Sequence, residues 1–449
     1  MKSNRKERRA AGKALRDQCA RDAHANWKPQ ARRPDPIKLL IDSSAGRMQQ
    51  LVPLRYGRMM QSPFAFYRGA AAIMAADLAH TPTTGIRVQA CGDCHLMNFG
   101  GFATPERNIV FDINDFDETL PAPWEWDVKR LAASCVIAAQ HNGFDRADAR
   151  EMAVRSVQGY REHMRDYARM SVMELWYERI SADDILGTIP MKKWRQQVKG
   201  RIAKEAARSV LEDDFPKLAA LDGGKPRIKD TPPLIFHETI RGADEYARGV
   251  KVAFNKYRAT LSEDRRALLD RFEMQDIAYK VVGVGSVGTF CAILLMMAGT
   301  DDALFLQVKE ARVSVLEPYA GKSRYKNRGQ RVVVGQRLMQ SASDIYLGWT
   351  EENARHYYLR QLRDAKIKPL TDGMDVTRLG RYAEWCGWAL ARAHAKSGNA
   401  AAISGYLGSS PAFDAAVARF ALTYAQQNER DHKALLKAID DGRVTTMEE

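Results

Sequence analysis

The stretch CGDCHLMNFGG, residues 91–101, matches two different sequence motifs. Each motif implies a different chemistry and a different fold, so the choice between them determines how the rest of the chain is interpreted. Cys91, Cys94 and His95 form C-x-x-C-H, the attachment motif of a c-type haem. A haem held by His95 needs a second axial ligand on its other face, and Met97 is too close in sequence to provide it. A structural zinc site usually needs a second ligand pair, and the sequence holds no other C-x-x-C. We therefore expect neither haem nor zinc, whereas a redox dithiol stays an alternative.

The same stretch also carries a phosphotransfer pattern. Asp93 and Asn98 have the D-x-x-x-x-N spacing of a phosphotransferase catalytic loop. GIRVQA (85–90) alternates apolar and polar residues and predicts a strand before the loop, and NIVFDINDFDE (108–118) predicts another strand after it. His95 could contact phosphate or orient Asp93, but a histidine in such a loop more often holds the turn, and we favour that role. Asp93 and His95 are the candidate catalytic residues.

Four acidic residues end the second of these strands: Asp112, Asp115, Asp117 and Glu118. Carboxylates this close repel one another unless a cation or basic groups neutralise them. Oxygen ligands suit Mg²⁺ or Mn²⁺, which accept one or two carboxylates and then phosphate oxygens. The alternative is that these acids cap turns and helices. We predict a divalent metal site whose candidate ligands are Asn98, Asp115 and Asp117.

A glycine-rich loop lies far downstream, within residues 277–310. GVGSVG is followed by the apolar TFCAILLMM, by a turn at AGTDD and by ALFLQVK, which ends in Lys309. A strand, a glycine loop, a second strand, a turn and a third strand with a buried lysine are typical of a kinase nucleotide lobe. The alternatives are a plain β-hairpin with a surface lysine and a dinucleotide fold in which Asp301 or Asp302 binds the ribose. The candidate nucleotide-binding residues are Gly283, Gly285, Ser286, Gly288, Lys309 and Glu317.

Glu317 is included because a kinase lysine is normally paired with a glutamate from the next helix. The predicted helix RGQRVVVGQRLMQSASD (328–344) contains no glutamate. Glu310 and Glu317 lie before it and are the available candidates.

Two motifs carry a resemblance to known proteins. GDCHLMN (92–98) resembles the GDLHPGN loop of aminoglycoside-phosphotransferase-like kinases, and DFDETLPAPWEWDVKRLAAS (115–134) resembles their metal-acid segment. The resemblance implies that Asp115 is a metal ligand and that Asp127 is a buried acid supporting the catalytic loop. More closely, residues 20–440 resemble a bacterial family described only as a domain of unknown function, with GDxHxxNFG and NDFDE motifs.

The chain departs from the kinase pattern in three ways. Cys91 replaces the usual histidine two places before the catalytic aspartate, and Asp117 replaces a glycine. The order is also inverted, because the catalytic loop precedes the glycine loop and lysine. We therefore expect an α+β, protein-kinase-like two-lobe fold that is circularly permuted, which is possible where chain termini lie close together.

Composition and charge bound the remaining possibilities. Of the net charge of +14, +7 lies in residues 1–36, which hold eleven Lys and Arg against four Asp and Glu. Such an arm could bind nucleic acid, but we favour a solvated, partly disordered arm. The sequence has no apolar run long enough for a membrane span and no apolar segment typical of a signal peptide, so we expect a cytoplasmic protein without membrane partners.

We divide the chain into four parts. These are a basic flexible arm (1–36), a helical lobe with the catalytic loop and metal acids (37–265), a β-rich nucleotide lobe (266–370) and C-terminal helices packing on the helical lobe (371–449). The pattern predicts a Mg-ATP-dependent phosphotransferase acting on an unidentified hydroxyl acceptor. Nucleotidyl transfer, a nucleotide-binding pseudokinase and a basic nucleic-acid-binding protein are the alternatives. The sequence indicates neither the acceptor nor the oligomeric state.

Overall fold

A computed structural model describes residues 3–207, 210–237, 243–362 and 366–448 of the chain. Its α-helices, in chain order, are α1 Arg5–Ala14, α2 Pro36–Ser44, α3 Val52–Met60, α4 Pro63–Gly69, α5 Ala71–Leu78, α6 Trp124–His141, α7 Arg146–Tyr167, α8 Val172–Tyr177, α9 Ala182–Gly187, α10 Lys192–Ala206, α11 Phe215–Leu218, α12 Ala243–Ala259, α13 Glu263–Leu269, α14 Glu317–Ala320, α15 Arg328–Met339, α16 Val376–Ser397, α17 Ala400–Leu407 and α18 Ala412–Asp440. Its strands are β1 Arg87–Ala90, β2 Phe99–Ala103, β3 Ile109–Ile113, β4 Leu120–Pro123, β5 Ala219–Asp222, β6 Lys225–Ile228, β7 Ile235–Phe236, β8 Glu273–Lys280, β9 Cys291–Ala298, β10 Asp302–Glu310, β11 Gly348–Glu352, β12 Arg355–Gln361 and β13 Lys366–Ile367.

Helices α6, α7, α16 and α18 form the centre of the helical part. Helix α6 is buried along almost its whole length, and Trp124 at its start stacks on Tyr160 of α7. Gly387 allows α16 to approach α7 closely, because a Cβ there would lie 1.9 Å from the carbonyl oxygen of Ser156. Helix α16 ends at Ser397 and is capped by Gly398. These helices enclose the larger hydrophobic core.

Six strands form one antiparallel sheet in the order β11-β12-β10-β9-β8-β7. Lys309 on β10 lies between Cys291 of β9 and Tyr358 of β12 in the strand register. The predicted strands and the turn before Asp302 are confirmed, and α15 follows β10 as expected. The sequence HYYLRQLRDAK (356–366) predicts a strand that runs into a turn, and residues 363–365 of that turn lie outside the described residues.

A second set of strands carries the segment 91–101. β1 pairs with β4, and β2 pairs with β3 and with the short strand β13. β13 comes from the far end of the β-rich region, and its Lys366 lies opposite Phe102 of β2. The fold is thus a mixture of helices and several sheets, which confirms the α+β class.

The N-terminal arm differs from the solvated segment that its charge suggested. Helix α1 packs against α17, and Arg16 donates a hydrogen bond of 2.8 Å to the carbonyl oxygen of Tyr406. His24 is completely buried, and its Nε2 lies 2.7 Å from the Tyr406 hydroxyl. Arg33 forms ion pairs with Asp77 and Asp431. The arm is ordered because its basic side chains find carbonyl and carboxylate acceptors that are distant in sequence.

Two further differences concern residues 207–270. The glycines and prolines of DGGKPRIKDTPP (222–233) predict a loop, but this segment includes strand β6 of the β5–β6 hairpin. The six-stranded sheet begins at Ile235 and α12 packs on β11, so the β-rich region starts before residue 266. Among the described helices, none is both long and apolar enough to cross a membrane.

The ion pairs of Arg33 give a first testable prediction. Replacing Arg33 with alanine leaves two largely buried carboxylates without their counter-charge, so the free energy of unfolding should fall by about 3 kcal/mol. Urea unfolding measures the change. Arg32→Ala is the matched control because the neighbouring Arg32 is exposed, and we expect less than about 0.5 kcal/mol there. Equal stability of the two variants would show that the arm does not depend on these ion pairs.

Candidate functional site

A cavity of about 480 Å³ lies where the catalytic loop, the acidic segment and the glycine loop meet. Most of the predicted site residues line it, although they come from segments almost 200 positions apart. These lining residues are Asp93, His95, Asn98, Asp115, Asp117, Gly283, Gly285 and Ser286. The structure thus brings together residues that the sequence analysis selected from separate motifs.

Asp127, at the start of α6, holds the catalytic loop in place. Its carboxylate accepts hydrogen bonds from the backbone N–H groups of Cys91 and Gly92, at 2.7 and 3.0 Å. The Nε2 atom of His394, from α16, lies 3.1 Å from the same carboxylate. Gly92 has φ of +83°, and a Cβ there would lie 2.6 Å from the Glu118 carbonyl oxygen, so only glycine fits. The supporting role implied for Asp127 matches this geometry.

Asp93 is fixed by an arginine from α6. The Nε atom of Arg130 donates to its Oδ1 at 2.7 Å, and a second guanidinium nitrogen also donates to that oxygen. Arg130 itself lies over the ring of Tyr67 at 4.5 Å and is buried. Burial raises the pKa of Asp93, although the charge of Arg130 opposes the shift. One oxygen of Asp93 is therefore anchored, while the residue still faces the cavity.

His95 has the turn-holding geometry that we favoured. Its Nδ1 accepts a hydrogen bond from the Met97 N–H at 3.2 Å. Burial, followed by the positive charges of Arg130 and Arg68, lowers its pKa well below the ordinary value, so the ring is neutral. A neutral ring that accepts at Nδ1 carries its proton on Nε2, which lies 3.8 Å from an Asp93 oxygen. His95 therefore shapes the loop and also faces the candidate base.

Asn98 completes the loop through its side-chain amide. The Nδ2 atom donates to the carbonyl oxygen of Asp93 at 2.6 Å, and the Asn98 carbonyl oxygen accepts from the backbone of Asn114 at 2.8 Å. These bonds join the catalytic loop to the acidic segment. The side-chain hydrogen bond involves only the amide nitrogen of Asn98. Its side-chain oxygen is the atom suited to coordinate a hard cation.

Lys309 and Asp117 connect the two distant parts of the site. The ammonium of Lys309 lies 2.6 Å from an Asp117 oxygen. The other oxygen of Asp117 accepts from the Tyr358 hydroxyl at 2.6 Å, and Ser286 of the glycine loop donates to Asp117 at 3.2 Å. Burial opposes ionisation of Asp117, but Lys309, the Tyr358 hydroxyl and the charge of Arg360 lower its pKa. Both carboxylate oxygens are thus occupied, which fits an anchor for Lys309 better than the expected metal ligand.

Asp115 is the acid left for a cation. One of its oxygens accepts from the backbone N–H of Asp117 at 3.1 Å, and the other lies 4.0 Å from the Lys309 ammonium. Its side chain is 35% exposed and lines the cavity. Burial and the neighbouring Asp117 raise the pKa of Asp115, so a bound cation would relieve unfavourable charge there.

The glycine loop is attached to the N-terminal region. The backbone N–H of Met48 donates to Gly288 O at 2.7 Å, and Arg47 donates to Val287 O at 2.6 Å. Gly283 and Gly288 have φ of +57° and +80°, values that a glycine adopts without strain. The loop is therefore held over the cavity by residues that precede the catalytic loop in the chain.

Glu317 does not have the expected geometry of a lysine partner. In the described part of the chain it makes no contact with Lys309, whose acidic partners are Asp117 and Asp115. Helix α15 instead supplies Arg331, which donates to the carbonyl oxygens of Asp117 and Thr119. The helix after the lysine strand thus supports the acidic segment through its backbone.

Asp112, Cys91 and Cys94 are buried in the protein core. Asp112 forms a completely buried ion pair with Arg392 at 2.7 Å. Cys91, Cys94 and Asp127 offer potential metal-ligand atoms within 4.8 Å of one another. Burial raises the pKa of both thiols, that of Cys94 to about 11, so they stay protonated at neutral pH.

Sequence reasoning missed several residues that shape the site. The sequence could have indicated Arg130, because this residue follows Asp127 by three positions and lies on the same face of the helix. No sequence pattern indicates His394, Arg331 or Tyr358, since each of them lies more than 200 positions away from the residue that it contacts.

The environment of Glu118 predicts a pH effect on stability. Burial raises the pKa of Glu118 to about 7, with Asp117 and Asp93 adding to the shift. Between its ordinary value of 4.5 and about 7, the unfolded chain loses this proton while the folded chain keeps it, so stability falls as pH rises. Glu118→Gln should remove this part of the slope in urea midpoints measured without divalent cations. A slope equal to that of the wild type would contradict the assignment.

The hydrogen bonds of Asp127 predict a second effect. Asp127→Asn places an amide nitrogen where the carboxylate accepts from backbone N–H groups, so the free energy of unfolding should fall by about 2 kcal/mol. Chemical denaturation measures it, with Asp440→Asn as the control at an exposed helix end. No difference between the two variants would show that Asp127 does not support the loop.

Comparison with known proteins gives one match. Residues 47–438 match the model of a family described as an uncharacterized protein conserved in bacteria (DUF2252). No curated protein and no solved structure matches the chain. Because the match covers most of the chain, the protein belongs to the DUF2252 family of uncharacterised bacterial proteins.

Proposed function

We propose that the protein is a Mg-ATP-dependent phosphotransferase with a circularly permuted, kinase-like arrangement of its two lobes. The observation that carries the proposal is the contact of Lys309 with Asp117, 192 positions earlier in the chain. The contact brings the buried lysine to the acidic segment, and Asp117 and Ser286 of the glycine loop line one cavity. Phosphotransferases need these three elements together, because the transfer depends on positioning and on neutralising phosphate charge.

The strand order supports the proposal independently. The glycine loop joins β8 to β9, the lysine lies on β10, and α15 separates β10 from β11 and β12. A glycine-rich loop before a third strand that carries the lysine is the arrangement of a protein kinase.

Each site residue then has a defined role. Asp93, anchored by Arg130, orients the acceptor hydroxyl and takes its proton. Asn98 and Asp115 would hold Mg²⁺, which neutralises phosphate charge when bound. Lys309 keeps one donor on Asp117 and offers its remaining donors to phosphate oxygens.

In the proposed reaction the acceptor oxygen forms a bond to the terminal phosphorus of ATP. The bond between that phosphorus and the bridging oxygen breaks, and its electron pair leaves with ADP. The hydroxyl proton passes to Asp93.

A nucleic-acid-binding function receives less support. Arg16 and Arg33 of the basic arm are engaged by internal carbonyl and carboxylate groups, so their charges do not form a free binding surface. A pseudokinase is the stronger alternative, because Asp117 stands in the place of a glycine and α15 lacks a glutamate.

A thermal-shift titration with ATP and Mg²⁺ tests the proposal. Binding to the native state stabilises it by about 2.7 kcal/mol at a hundred times Kd. We expect a metal-dependent shift in the wild type and in the exposed control Lys322→Ala, and its loss in Lys309→Ala and Asp115→Asn. No shift with ATP in the wild type would contradict the proposal.

Asp93→Asn separates catalysis from binding. It should keep the ATP shift but reduce phosphoryl transfer by a factor of about 100 or more. Retained transfer in Asp93→Asn would contradict its role as base. ATP binding without transfer to any acceptor in the wild type would favour the pseudokinase.

A further inference from the structure

One wall of the site cavity is built from arginines that have no carboxylate partner. The arginine wall consists of Arg47, Arg55, Arg68 and Arg312. Arg47, Arg55 and Arg312 donate to carbonyl or hydroxyl oxygens, chiefly those of residues 40–45. Within the described residues, none of the four forms an ion pair. The wall therefore holds positive charge that no carboxylate of the described residues neutralises in a direct ion pair.

The arginines of the wall also repel one another. Burial lowers the pKa of Arg47, and the charges of Arg55 and Arg312 lower it further. Guanidinium groups stay charged under ordinary conditions, so close arginines in a largely enclosed cavity favour a bound anion. Five carboxylates also line the cavity: Asp93, Asp115, Asp117, Glu118 and Glu310. Arg130 pairs with Asp93 and Lys309 with Asp117, and none of the five forms an ion pair with an arginine of the wall within the described residues.

Arg68 places this positive wall next to the candidate base. It lies in the last turn of α4, and its Nε atom is buried without a hydrogen-bond partner in the described structure. Burial lowers the pKa of Arg68, and the nearby carboxylate of Asp93 opposes that shift. The glycine loop passes over the same place, since a Cβ on Gly285 would lie 3.4 Å from the Arg68 carbonyl oxygen. Arg68 therefore lines the same cavity as Asp93, and its backbone lies next to the glycine loop.

We infer that the acceptor of the proposed phosphotransfer is a hydroxyl compound that already carries a phosphate group, and that Arg68 binds this group. A phosphate on the planar guanidinium fork would place a hydroxyl of the same molecule beside Asp93. The arginine wall provides the remaining positive charge for a dianion. A cationic acceptor would be repelled there, so this site differs in charge preference from one built for aminoglycosides.

The inference rests on the proposed function, and its test separates the two. The probe is inorganic phosphate, titrated calorimetrically at constant ionic strength into protein saturated with Mg²⁺ and a non-hydrolysable ATP analogue. The variants are Arg68→Gln and the control Arg150→Gln, which replaces an exposed arginine of α7. The bound analogue occupies the positions of the nucleotide phosphates. Binding of inorganic phosphate to the saturated protein therefore measures only the proposed acceptor site.

We expect phosphate to bind the wild type and Arg150→Gln equally, and to bind Arg68→Gln about tenfold more weakly because a charged hydrogen-bond donor is lost. Affinity for the analogue should be the same in all three proteins. Undetectable phosphate binding in the wild type, or equal binding in Arg68→Gln, overturns the inference and leaves the proposed function standing. Weaker analogue binding in Arg68→Gln, with phosphate binding unchanged, assigns Arg68 to the nucleotide and also overturns it. Failure of the wild type to bind the analogue refutes both.

Discussion

The ion pair between Lys309 and Asp117 is the interaction on which the organisation of the site depends. It joins β10 of the six-stranded sheet to the acidic segment, with the Lys309 ammonium 2.6 Å from an Asp117 carboxylate oxygen. Because Lys309 is buried, its ammonium needs a carboxylate partner, and the two regions must meet at this point. Tyr358 and Ser286 add hydrogen bonds to the same carboxylate and bring the glycine loop into the arrangement.

The second constraint is that buried charges hold the catalytic loop from the helical side. Asp127 accepts two backbone hydrogen bonds of the loop, and Arg130, one helical turn later, anchors Asp93. His394 comes from α16, near the other end of the chain, and stabilises Asp127. Cys91 stands where the kinase pattern has a histidine, two places before Asp93, and it contributes its backbone N–H to Asp127. A network from α6 and α16 thus holds the loop.

Much of the local structure could be predicted from the sequence because it follows local periodicity. Alternation predicted β1, and apolar runs with turn residues predicted β9 and β10. Asp93 and Asn98 line one cavity with Asp117, the partner of Lys309, and each of the three selected residues belongs to a motif with its own spacing. The contacts that fix the basic arm, such as the ion pair of Arg33 with Asp77, could not be predicted from the sequence, and neither could the contacts of Arg331. Both depend on partners that are distant in sequence. Glu317 was selected as the partner of Lys309 only by analogy with kinases. In the structure the lysine is paired with Asp117 instead.

The most direct test is a crystal structure with Mn²⁺ and a non-hydrolysable ATP analogue, in which anomalous scattering locates the metal. The account predicts Mn²⁺ coordinated by Asp115 and Asn98, with analogue phosphates in hydrogen-bond contact with Lys309 beneath the glycine loop. Mn²⁺ or nucleotide bound elsewhere on the protein, or an empty cavity at saturating analogue, would contradict it.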